Sequence, residues 1–204
     1  MTMIGVLAYG SLITDPGPEL AAITSGNTMD VLTPFSVEFA RSSRKRGGAP
    51  TLVPVDAGGS PVRAVIFQVV GTFSQVVDIV YRREIHAVGS GKIYVEPPPN
   101  RTDAVRIARF EGLAGFDLVL STQLAANIDP LSADILADLA IASAQALHDG
   151  RDGISYLIAA RASGIETPLS QHYATRILAR TGMADLAASL RAVRDGAVAP
   201  PPAR

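Results

Sequence analysis

From Ile4 to Ala8 the chain is uniformly apolar or small with no helical period, which predicts a short strand buried on both faces. Val31 to Phe39 alternates partly, Thr51 to Val55 is β-rich, and "VRAVIFQVV", Val62 to Val70, is the strongest strand signal in the chain. Gly47, Gly48 and Pro50, then Gly58, Gly59 and Pro61, punctuate these stretches and predict a meander. The period changes in "TFSQVVDIVYRREIHAV", where Phe73, Val76, Val77, Val80 and Tyr81 recur at three- and four-residue steps. That spacing predicts an amphipathic helix with Glu84 near its end. Strands are expected next at Lys92 to Val95, Val105 to Phe110 and Asp117 to Leu120, the first two separated by a "PPPNRTD" loop. The mixture predicts an α+β fold rather than a repeating βαβ array.

Beyond Asn127 the chain turns alanine- and leucine-rich. Asp129 and Pro130 suit the N-cap and first position of a helix ending near Gly150, and Thr167 and Pro168 suit those of one ending near Gly182. "DILADLAIASAQAL" is apolar around much of its circumference, which fits core packing and equally an interaction surface, such as one for homo-oligomer formation. "GAVAPPPAR" cannot continue a helix and is expected to be disordered. The chain thus divides into residues 1–126, a helical extension over 127–195 packed on the same domain, and a tail, 196–204.

Composition narrows the chemistry. With 204 residues and 48% hydrophobic content the chain can bury a substantial core, and a net charge of -1 provides no global field for nucleic acid or an acidic membrane. Positive charge is concentrated only between Arg41 and Arg46. The absence of cysteine excludes disulfides, thiolate nucleophiles and thiolate-ligated metals. No run of eighteen apolar residues occurs and no signal-peptide pattern opens the chain, so no membrane partner and a cytoplasmic location are expected.

Ser11 in "VLAYGSLI" invites a hydrolase reading, but a nucleophile elbow needs glycine two residues to either side, where Tyr9 and Ile13 stand. A Ser–His pair stays open on sequence alone, although His86, His148 and His172 all lie in polar helical contexts. "VGSGKI" around Lys92 lacks the first glycine and the Ser/Thr of a phosphate loop and suits a tight turn into a strand. No two histidines are spaced to share a face and no carboxylate cluster accompanies them, so no metal site is expected. Two readings of "YGS" remain: it merely turns the chain, or Gly10 permits close backbone approach while the N–H groups of Gly10, Ser11 and Leu12 converge on an anionic oxygen. Glu84 is solvated or paired with Arg82 or Arg83, or it is a catalytic carboxylate sharing a face with Tyr81. "ARSSRKRGGAP" is a solvated loop, or it sets Arg44 or Arg46 beside an anionic substrate.

Taken together, "AYGSLI" after the first strand, "RGGAPTLVP" from Arg46 to Pro54, the Val62 to Val70 strand, and "IVYRRE" ending at Glu84 with Tyr94 downstream resemble the γ-glutamylcyclotransferase superfamily, which includes the ChaC-like and AIG2-like proteins. The resemblance spans Ile4 to Leu120, and "GISYLIAA" is similar to a later helix of the ChaC-like branch. It implies a small, partly closed mixed β-barrel with flanking helices, no metal or organic cofactor, and conversion of a γ-glutamyl amide to 5-oxoproline and a free amine. Carried over by position, Tyr9, Gly10, Ser11 and Leu12 would hold the γ-glutamyl moiety through backbone amides, Arg46 and Tyr94 would line the substrate site, and Glu84 would be the general acid/base. The interval from Glu84 to Tyr94 exceeds the family's, and "HAVGSG" reads as an insertion. A second function of the same fold, binding or sensing a γ-glutamyl compound without turnover, is compatible with the same residues.

Overall fold

A computed structural model describes residues 2–201, with the Asn27 side chain left aside. The fold is α+β, and its contacts divide it into two compact units, residues 1–34 with 63–125 and residues 35–62 with 126–204. In the first unit the five-stranded sheet runs β2-β5-β1-β7-β6, built from β1 (Ile4–Ala8), β2 (Thr24–Leu32), β5 (Arg63–Val69), β6 (Arg106–Glu111) and β7 (Leu118–Gln123). β1 pairs antiparallel with β5 and parallel with β7, so the sheet is mixed. Every residue of β1 is buried, as expected of a central strand with an unbroken apolar run. β2 and β6 stand at opposite edges, and no closure joins them among the described residues. The partly closed barrel implied by the resemblance is therefore replaced by an open sheet.

Helices α1 (Gly17–Ile23) and α2 (Phe73–Glu84) complete this unit. A capping box between Thr72 and Gln75 starts α2 and stabilises it by about 1 kcal/mol. Its Val76, Val77, Ile79 and Val80 join Val6, Ala8, Phe67, Ile107 and Leu120 in one core cluster, the product of a three- and four-residue period meeting a period of two. Residues 92–95 form no strand. Tyr94 turns inward while Ile93 (71% exposed) and Val95 (78% exposed) point out, so the alternation is real, but the segment pairs through side chains rather than a ladder.

In the second unit β3 (Val37–Ser43) and β4 (Ala49–Pro54) form a hairpin that packs on the helices following residue 126. The expected strand over 31–39 is thus two strands, the end of β2 and the start of β3, parted around Pro34. The helices are α3 (Ala133–Ala146), α4 (Gly153–Ala162), α5 (Ser170–Thr181) and α6 (Leu186–Arg194). α3 is capped by Ser132 rather than Asp129, because the Ser132 hydroxyl reaches the Ile135 N–H. α5 ends where predicted, at Gly182 with φ +69°, but begins after Leu169, since Thr167 is engaged elsewhere. Of the expected tail, residues 202–204 lie outside the described residues; the Val198 carbonyl accepts from Gln145.

Candidate functional site

β1 runs into a 3₁₀ turn over Gly10–Leu12, with Tyr9 extended (φ -135°, ψ 166°) as its N-cap. Gly10 sits at φ +60°, the left-handed region that favours glycine, and it is buried. In a turn of this span the N-cap carbonyl takes the third N–H, so the amides of Gly10 and Ser11 are the ones left at its open end. Leu12, expected to contribute a third amide, instead supplies a buried apolar side chain to the core. The Ser11 carbonyl accepts the Asp15 N–H at 2.9 Å.

Glu84 is the last residue of α2 and is half-buried. Its Oε2 accepts the Thr122 hydroxyl at 3.2 Å. The two preceding arginines turn to other partners. Arg82 Nε donates to Glu19 at 2.9 Å and its Nη1 to the Lys92 carbonyl at 2.9 Å, while Arg83 Nη2 donates to the Asp15 carbonyl at 2.6 Å. Arg83 therefore ties the segment leaving the 3₁₀ turn to the end of α2, one residue before Glu84.

The sheet register gathers these groups. β1 and β7 are parallel with Val6 opposite Leu120, so Ala8 and Thr122, each two residues further on, lie toward the same end of the two strands. On the other side of β7, Thr122 is paired with Ile107 of β6. Tyr94 belongs to this row: its hydroxyl accepts the Ile107 N–H at 3.3 Å and donates to Glu96 at 2.6 Å. Its own N–H donates to Asp78 of α2 at 2.8 Å, and its ring lies edge-on to Tyr81 with centroids 5.4 Å apart. Burial first, and then the hydrogen bond to Glu96, push the Tyr94 hydroxyl up to about 12 from its usual 10. Tyr94 thus stays protonated and closes the N–H side of an edge strand.

The first unit therefore brings Tyr9, Gly10 and Ser11, Glu84 and Tyr94 to one end of three adjacent strands, β1, β7 and β6. Arg46 belongs to the second unit, where its guanidinium lies 4.9 Å over the Tyr156 ring and donates to the Arg151 carbonyl at 3.4 Å. A cleft of about 340 Å³, lined by Ile23, Val70, Gln75, Asp78, Ile79 and Arg82, runs along α2. Thr122 and Asp15 carry no role in the sequence reading, and Arg83, expected there as a partner of Glu84, pairs with Asp15 instead. For Thr122 a signal existed: Leu118, Leu120 and Thr122 continue one period of two past the expected strand end, so the polar "STQ" belongs to the strand.

No helix among the described residues is long and apolar enough to cross a membrane. Compared with protein-family models, with curated proteins and with solved structures, the chain matches none.

Proposed function

We propose that the protein is a γ-glutamylcyclotransferase-like enzyme that releases 5-oxoproline and a free amine from a γ-glutamyl amide or peptide, with Glu84 as the general acid/base. The observation that carries this reading is the placement of the Glu84 carboxylate, through Thr122 and the Arg83–Asp15 clamp, at the strand end where the Tyr9–Gly10–Ser11 turn begins. The substrate brings its own nucleophile. Its α-amine attacks the γ-carbonyl carbon, forming the C–N bond of a five-membered ring, and the amide C–N bond to the leaving amine breaks. Folding the substrate into that geometry is the larger part of the task, and one carboxylate suffices to move the proton from the α-nitrogen to the departing nitrogen. The amides of Gly10 and Ser11 suit the developing charge on the γ-oxygen because a 3₁₀ turn anchored to a buried strand reorganises little. Kinship with the cyclotransferase fold rests on these motifs and their convergence, since the sheet itself is open.

Incubation with a panel of γ-glutamyl compounds, with 5-oxoproline as the readout, tests the proposal. Wild-type protein is expected to release it, and Glu84→Gln is expected to lose at least a hundredfold in rate while keeping its thermal stability. Full activity in Glu84→Gln would sink the mechanism. Ligand-dependent stabilisation without turnover would instead establish a binding or sensing protein.

A further inference from the structure

Glu84 closes a helix, where a long side chain with three rotatable bonds sweeps a wide volume unless something holds it. Resting on the cyclotransferase reading above, we propose that Thr122 is a positioning residue that sets the Glu84 carboxylate for proton transfer. Thr122 lies in β7, paired with Ile107 of β6, and is only 9% exposed, so its backbone is held in place. Its β-branched side chain is also stiff about χ1. The hydroxyl donates to Oε2 at 3.2 Å, while Oε1 has no hydrogen-bond partner among the described residues. One oxygen is thus held and the other is left to exchange a proton with the substrate nitrogen.

The choice of donor matters. Arg82 and Arg83 immediately precede Glu84, but their guanidinium groups are committed to Glu19 and to Asp15. A neutral hydroxyl orients a base while taking less of its basicity than a guanidinium ion would.

Thr122→Val keeps the shape and strand preference of the residue and removes only the donor; Thr122→Ser keeps the donor. Thr122→Val is expected to lower kcat about tenfold with KM nearly unchanged, because a misaimed carboxylate costs the proton-transfer step and leaves substrate binding intact. Thr122→Ser is expected to retain most of the wild-type kcat. Wild-type turnover in Thr122→Val, or an equal loss in both variants, overturns the proposal. If the wild-type protein itself releases no 5-oxoproline, the cyclotransferase reading has failed, and the side-chain carboxyl ¹³C resonance of Glu84 decides the positioning claim separately. A resonance displaced in Thr122→Val but not in Thr122→Ser supports the contact; one unmoved in both overturns it.

Discussion

Replacing Thr167 by valine tests how the second unit is held together. Glu38 of β3 is fully buried, and its carboxylate accepts three bonds: the Phe39 N–H at 2.7 Å and the Thr167 hydroxyl at 2.5 Å on Oε1, and the Leu169 N–H at 3.0 Å on Oε2. The last two tie β3 to the turn that opens α5, some 130 residues later. Thr167→Val preserves volume and branching at a site that is 8% exposed, and Ser170 Oγ still accepts the residue-167 N–H, at 2.8 Å in the wild type. What is lost is the hydroxyl's hydrogen bond to a fully buried carboxylate, together with its 2.8 Å contact to the Ser170 hydroxyl, and the bond to the carboxylate alone is worth about 1.5–3 kcal/mol. For a chain of this size each kcal/mol moves Tm by about 2–4 °C, so the midpoint should fall by about 3–12 °C. Thermal unfolding by circular dichroism, with urea unfolding to check that the m-value is unchanged, measures it, and Thr167→Ser should recover most of the loss. A Thr167→Val protein within about 0.5 kcal/mol of wild type, or one no different from Thr167→Ser, would refute the assignment of stability to this bond.

Two further outcomes test the candidate site. Gly10→Val places a β-branched residue at φ +60°, a strain of about 1–3 kcal/mol that is relieved only by moving the turn, so 5-oxoproline release should drop at least tenfold whereas Ser11→Ala keeps most of it; the reverse ranking would show that the serine side chain, not the backbone, is what matters. Because the Tyr94 hydroxyl is pushed up to about 12, the unfolded chain releases this proton first as pH rises through its ordinary value of 10, and stability should decline between pH 10 and 12. Allowing for solvent screening the loss is about 1 kcal/mol, and Tyr94→Phe should flatten that part of the stability–pH curve; an unchanged slope would mean that the hydroxyl is not held as described.

Local pattern decided much of this protein. The apolar run of β1, the β-rich run of β5 and the three- and four-residue period of α2 each state their structure within a few residues, because burial is written into the choice and spacing of side chains. Glu84 at the end of α2 and Gly10 after β1 were legible for the same reason. Helix starts were less so: Asp129 and Thr167 have the chemistry of N-caps, but Ser132 caps α3 and Thr167 serves Glu38 instead, and only the neighbours brought in from distant sequence settle which polar group a hydroxyl meets.

Tertiary structure alone decided that the β3–β4 hairpin joins the C-terminal helices rather than the main sheet, and that the sheet stays open. It also decided that residues 92–95 lie against α2 without entering a ladder. Strand order and parallel pairing are long-range choices, invisible to a period read along the chain. The convergence of Thr122, Glu84 and the Gly10 turn is a consequence of one such choice: β7 lies parallel beside β1, so two strands more than a hundred residues apart finish at the same end of the sheet.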